Sequence, residues 1–234
     1  MNRLAVMQPY FFPYPGYFQL IQSSDVFVFL DDVHYINRGW INRNRILING
    51  AASYLTIPCK KTSQNKRIHT IEHNLDDPIR NKLLRKIQNA YSKAPFFDNV
   101  FPVINDVIFS DGTYISDLAI ESVIKTCNYL GIETRFLKSS DMNLPAAMRG
   151  SERILEICRR EQAATYYNLP GGRELYDEKR FKEHGISLHF IRTDNTTYSQ
   201  FSAPFVPHLS VIDLMMFTSA DDITDKLRDG QTSC

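Results

Sequence analysis

Within the ten residues NRGWINRNRI (37–46) the chain sets Arg38, Arg43 and Arg45 around Trp40, its single tryptophan. Guanidinium forks bind phosphate or carboxylate in bidentate fashion, and an indole face can stack on a sugar or base. Asn42 stands between them as an amide that can donate and accept. Lys60 and Lys61 follow in CKKTSQNK, with Lys66 further on. The same charges also suit a plain solvated face. Just upstream, the apolar run VFVFL ends in Asp31 and Asp32, which could orient hydroxyls or activate an amine, or serve only as turn formers. His208 is a candidate general base, with a core or capping histidine as the alternative.

Two further stretches carry candidates. MQPYFFPYPGYFQLI (7–21) supplies Gln8, the phenols of Tyr10, Tyr14 and Tyr17, and Gly16, where a ligand could approach the backbone closely. The prolines stiffen this loop, although its composition also fits an aromatic core plug. NLPGGRELY (168–176) pairs Gly171 with Gly172 ahead of Arg173 and Glu174, and positive φ at such glycines would aim successive N–H groups at an anion. Ser151, in RGSERI, is expected first as a helix cap and second as a ligand donor.

Other chemistries find less support. A net charge of +1 lacks the electrostatic footprint of a dedicated nucleic-acid binder. HTIEH (69–73) has the spacing of a zinc motif, but it precedes the helix signals at Asp76, and in an extended run His69 and Glu72 face opposite ways, so no metal site is expected. Cys59, Cys127, Cys158 and Cys234 have no paired spacing and read as reduced thiols. Cys59 is a candidate nucleophile only in that it follows a strand; a structural thiol is the stronger reading. Serine-hydrolase elbows, Walker loops and dinucleotide glycine fingerprints are absent, and no residue pattern names a cofactor. Pro9, Pro13 and Pro15 break the early apolar run, and no uninterrupted apolar stretch is long enough to cross a bilayer. The expected compartment is the cytoplasm.

The elements that must position these groups follow from periodicity. Residues 4–7 form a short strand, 17–22 a helix and 26–30 a buried strand, an opening βαβ unit that favours a parallel sheet. A hairpin is expected over 46–59, turning at Asn49-Gly50. Helices follow from a cap at Asp76 or Asp77, with Pro78 at the first helical position, to a stop at Pro95, then over about 97–109 and 115–130, the last closed by Gly131. Strands at TRFL, ATYYNL and ISLHFI then alternate with helices at SERILEICRR and DEKRFKEHG, and FVPHLSVIDLMMF reads as helical. The expected fold is α/β: a Rossmann-like, mostly parallel sheet in a single domain over 1–225, with a helical insert at about 76–131 and a tail over 226–234.

The segments MQPYFFPYPGYFQLI, DDVHYINRGWINRNRI, YLTIPCKK, LPGGRELYD and FVPHLSVIDLMMF together resemble the WbqC-like family of bacterial proteins, from residue 1 to about 225. That resemblance implies a place in the biosynthesis of O-antigen or other surface polysaccharide. The activity it implies is transfer of an acyl or aminoacyl group onto a nucleotide-linked amino sugar. The implied partners are a sugar nucleotide or other phosphorylated small molecule, with an acyl- or aminoacyl-carrier as a candidate donor. FPYPGYFQLI is also similar, more distantly, to the HIGH-type motif of nucleotidylyltransferases, with Tyr14 and Tyr17 where the two histidines would stand. A phenol offers a neutral hydrogen bond but no cation at neutral pH, so nucleotidyl transfer and a catalytically silent sugar-nucleotide binder are the alternative readings.

Overall fold

The computed structural model describes residues 2–192, 197–201 and 204–229. In chain order it contains β1 (Asn2–Met7), α1 (Pro15–Gln22), β2 (Val26–Phe29), β3 (Arg43–Ile48), β4 (Ala51–Thr56), α2 (Asp77–Tyr91), α3 (Phe97–Ile108), α4 (Ile115–Leu130), β5 (Arg135–Lys138), α5 (Gly150–Arg160), β6 (Ala163–Asn168), α6 (Glu178–Glu183), β7 (Ser187–Phe190), α7 (Val211–Phe217) and α8 (Ala220–Asp229). Short 3-10 turns lie at Ile68–Thr70, Ser139–Met142 and Pro170–Leu175.

Five strands pair in the order β5-β2-β1-β6-β7, every pair parallel. Parallel strands are buried on both faces and therefore read as continuous apolar runs. Here alternate residues part cleanly. Leu4, Val6, Val26 and Val28 face a layer built by Ile154, Leu155, Ile157 and Phe181 of α5 and α6. Ala5, Phe27 and Phe29 face the opposite layer, with α1, α4, α7 and α8. The result is a doubly wound, Rossmann-like α/β fold. Strand order reverses between β1 and β6, and in such sheets ligands collect beyond the carboxyl ends of the strands at that switch point.

β3 and β4 form a separate antiparallel hairpin, beginning at Arg43 rather than at residue 46 and turning through Asn49 (φ 51) and Gly50 (φ 75). Both positions are left-handed, as a tight two-residue turn requires. In the helical section, the Asp76 side chain accepts from the Ile79 amide at 2.8 Å and so caps α2, and Gly131 closes α4 at φ 65. α4 is more than an insert, since its Ile120 and Ile124 share a groove with Phe29 and Phe136 and cover the β2–β5 end of the sheet. Residues 226–229, expected to begin a tail, instead continue α8, because Ile223 and Leu227 one turn apart are both buried; residues 230–234, with Cys234, lie outside the described part. No helix among the described residues is long and apolar enough to cross a membrane.

Candidate functional site

A cavity of about 410 Å³ opens at the carboxyl ends of the strands. Its lining comes from distant parts of the chain: Gln8 beyond β1, Asp32 and His34 beyond β2, Arg67, Arg149 and Arg153 at the start of α5, and Tyr176 beyond β6. Leu30, Val33, Ile36, Met148 and Ile154 supply an apolar wall, and Ile36 remains 49% exposed.

Charge is distributed unevenly within it. Arg153 and Asp32 form an ion pair in which each side chain is 7% exposed, so their charges largely cancel. The Ser139 hydroxyl lies 2.5 Å from Asp32 Oδ1 and 3.2 Å from Asp31 Oδ1, one proton serving two carboxylates. Among the described residues, the Arg67 and Arg149 guanidinium groups have no ion-pair partner. Both therefore present uncompensated positive charge. Beside them α5 begins with Arg149 as N-cap and no side-chain cap, and Gly150 follows at φ 54. First-turn amides have no acceptor within the helix, and they and the helix dipole favour an anion there. The arrangement is equipped to hold a phosphate at one end.

Of the residues singled out from sequence, Gln8 and Asp32 line this cavity; the others do not. Asp31 sits against it but is 1% exposed, accepting from the Ser140 amide (2.9 Å) and hydroxyl (2.7 Å), which pins the turn after β5 to the end of β2. Tyr17 is fully buried, and its hydroxyl donates to the Gln8 carbonyl at 2.8 Å. Tyr17 thus fixes the backbone that carries Gln8. Tyr10 packs against its ring, and burial pushes the Tyr14 phenol up to about 12. Gly16 is buried in the first turn of α1.

The aromatic loop is held as a plug. Phe12 lies at φ 40, an uncommon conformation that persists only where surroundings enforce it. Its amide donates to Ser122 Oγ, and its carbonyl accepts from Asn44 Nδ2 and Ser210 Oγ at 2.7 Å each.

The basic cluster also has structural work. Arg43 donates to the carbonyls of Gly39 and Arg38 and lies 4.4 Å over the Tyr54 ring; Arg45 donates to the His208 carbonyl and lies over Trp40. Asn42 bridges the Ile57 carbonyl and the Tyr35 hydroxyl. Lys60 pairs with Glu72 on the surface, Arg38 and Lys61 are exposed at positive φ, and His208 is an exposed loop residue at φ 58. Ser151 does not cap α5; it sits one residue inside, accepting from Arg180 at 3.1 Å, because the chain turns at Gly150. Gly171 and Gly172 do not adopt positive φ either. They lie in a 3-10 turn in which Gly172 abuts the Asn168 side chain, with Glu174 exposed and Arg173 over the Phe190 ring.

In HTIEH the His73 imidazole contacts the Gly112 carbonyl at 2.6 Å and His69 the Asp31 carbonyl at 3.1 Å, and no metal-holding cluster occurs among the described residues. Burial pushes the Cys59 thiol up to about 12, well away from a nucleophile's range. The functional candidates missed from sequence are His34, Arg67, Arg149 and Tyr176. The only local signal was RG directly before the α5 pattern, a basic residue and a turn glycine at a helix start.

The chain matches the WbqC-like protein family over residues 8–225. It is 28% identical over 233 residues to an uncharacterized protein of Mycobacterium tuberculosis, Rv1507c, covering 94% of this chain and 96% of that protein. No solved structure matches it significantly.

Proposed function

Since the chain belongs to the WbqC-like protein family, we propose that it is a cytoplasmic transferase of bacterial surface-polysaccharide (O-antigen) biosynthesis that binds a nucleotide-linked amino sugar and acylates or aminoacylates its amine. The observation that carries this reading is the pair of uncompensated guanidinium groups, Arg67 and Arg149, beside the open first turn of α5 at the switch point of the sheet. They hold the phosphates, while the apolar wall from Leu30 to Ile154 takes the less polar part of the ligand. In the transfer step the amine nitrogen forms a bond to the acyl carbon, the bond from that carbon to the donor's leaving atom breaks, and the amine proton passes to the His34 imidazole. An acyl- or aminoacyl-carrier supplies the group.

The test combines titration calorimetry against a panel of sugar nucleotides with a product assay on amino-sugar acceptors. Micromolar binding is expected, and removing either guanidinium, by Arg149→Ala or Arg67→Ala, should weaken it about 10- to 100-fold, since hydrogen bonds to charged groups contribute roughly 1.5–3 kcal/mol. No binding by any sugar nucleotide would overturn the reading. A second reading, a binder without turnover, is favoured by the commitment of both strand-end carboxylates to structure, Asp31 to Ser140 and Asp32 to Arg153. Tight binding with no acylated product would select it. Nucleotidyl transfer through Tyr14 and Tyr17 has no support in the cavity, whose lining includes neither.

A further inference from the structure

Charge is shared unevenly along the chain. Residues 33–71 hold seven of its 27 lysines and arginines and none of its 26 aspartates and glutamates, so this segment carries +7 and the remainder −6. It folds as the β3–β4 hairpin and the loops on either side. Its two ends meet at the cavity: His34 opposes Arg67 in an antiparallel bridge, with the Tyr35 amide donating to the Lys66 carbonyl at 2.9 Å and the Ile68 amide to the Val33 carbonyl at 3.0 Å. In that pattern the two side chains project to one side, and both His34 and Arg67 line the cavity. The positive segment therefore includes part of the cavity wall.

Internal partners leave most of this charge in place. Arg43 and Arg45 donate to the carbonyls of Gly39, Arg38 and His208 and lie over the Tyr54 and Trp40 rings, contacts that fix a guanidinium without neutralising it. Lys60 pairs with Glu72, but Arg38, Lys61 and Lys66 are exposed and have no ion-pair partner among the described residues. Arg38 (φ 59) and Lys61 (φ 45) occupy left-handed backbone that glycine or asparagine adopts at lower cost, so stability alone does not account for cations there.

A surface of this kind steers and orients an anionic partner. With a volume of about 410 Å³, the cavity admits a small molecule and no folded domain, so a macromolecular donor has to dock outside and pass its group inward on a flexible arm. A polynucleotide is the poorer fit. It would stack bases on open rings, whereas Trp40 and Tyr54 already carry Arg45 and Arg43, and a long polyanion would run on over the net-negative remainder. An anionic bilayer needs apolar side chains that insert beside the cations, but of the segment's exposed large apolar residues Ile36 lines the cavity and Tyr54 lies under Arg43.

We propose that the exposed basic surface of residues 33–71, with Arg38, Lys61 and Lys66, docks a small acidic carrier protein that bears the acyl or aminoacyl group on a flexible tether. This rests on the transferase reading above and adds to it the class of donor and the face on which it binds.

The experiment follows binding of a purified acidic acyl carrier protein, in its acetylated form, by fluorescence anisotropy at low and high salt. Wild type should bind with a Kd of about 1–100 μM at low salt and about 10-fold or more weakly at high salt, where surface charges are screened. The double reversal Lys61→Glu with Lys66→Glu should weaken low-salt binding about 10-fold or more, while Lys82→Glu with Lys93→Glu, at exposed lysines outside the segment, alters net charge equally and should change affinity by less than about 2-fold. Lys61→Gln with Lys66→Gln repeats the comparison if the reversal lowers the thermal midpoint. Equal losses in both double reversals, no loss in either, no carrier binding by wild type, or tighter binding of transfer RNA than of the carrier overturns the docking surface. Sugar-nucleotide titration of the same proteins keeps the two readings apart. Sugar-nucleotide binding without carrier binding overturns the docking surface and leaves the phosphate reading; carrier binding that depends on Lys61 and Lys66, without sugar-nucleotide binding, does the reverse.

Discussion

Removing one member of the Asp32–Arg153 pair should destabilise the fold far more than removing both. Each side chain is 7% exposed, and both sit where β2 ends and α5 begins. Attraction inside a protein can offset desolvation only while both charges are present; deleting one leaves the other buried without compensation, at about 3–5 kcal/mol. Asp32→Asn strands the guanidinium, and Arg153→Met strands the carboxylate. For a chain of this length, each should lower the thermal midpoint by roughly 6–20 °C, at 2–4 °C per kcal/mol. In the double variant no uncompensated charge remains, so its loss should fall below that of either single variant, and short of their sum by at least about 3 kcal/mol. Urea unfolding of all four proteins, with midpoints and slopes compared, measures that coupling. Single losses below about 1 kcal/mol that add in the double variant would show that water reaches the pair, and the reading of Asp32 and Arg153 as a buried, mutually neutralised pair would fail with it.

Three further outcomes follow from local geometry. Gly150 turns at φ 54 with nothing near an added Cβ, so Gly150→Ala should cost about 1–2 kcal/mol from backbone strain alone, and Gly150→Asn less, as measured by thermal unfolding. Burial raises the Asp213 carboxyl above its ordinary value, so the folded state holds that proton more firmly than the unfolded chain. This group's contribution to stability therefore declines as pH rises from the unfolded value near 3.9 through the folded one, and Asp213→Asn should lack that slope in unfolding free energies measured from pH 4 upward. Cys59 and Cys158, both pushed up to about 12 by burial, should resist iodoacetamide at pH 8 in a folded Cys234→Ser protein and react once it is unfolded in urea, as read by mass spectrometry.

The sheet was legible because its signals are local. VFVF, ending at two aspartates, can hardly be other than a buried strand, Asn49-Gly50 demands a tight turn, and Asp76 with Pro78 and Gly131 punctuate helices by side-chain and φ preference alone. The site was legible only in part. Gln8 and Asp32 fall at strand ends, where the fold rule points, and both line the cavity. Arg43 and Arg45 misled, because a sequence displays a guanidinium without showing which carbonyls come within its reach; here those of Gly39, Arg38 and His208 do. Arg67, Arg149 and His34 escaped notice for the converse reason. Each stands singly in a loop, and only the crossing of β2, the segment after β4, and α5 brings them to one wall.

Tyr91 links parts of the chain that sequence distance separates widely. Its hydroxyl accepts from the Leu47 amide of the hairpin and donates to Asp213 of α7, and the same carboxylate accepts from Tyr198 and Gln200. A single oxygen thereby couples the hairpin, the helical section and the carboxyl-terminal helices. None of the three can open to solvent without breaking a bond that another depends on, so they should rise and fall as one cooperative unit, apart from the α5–α6 layer, whose contacts do not pass through this phenol.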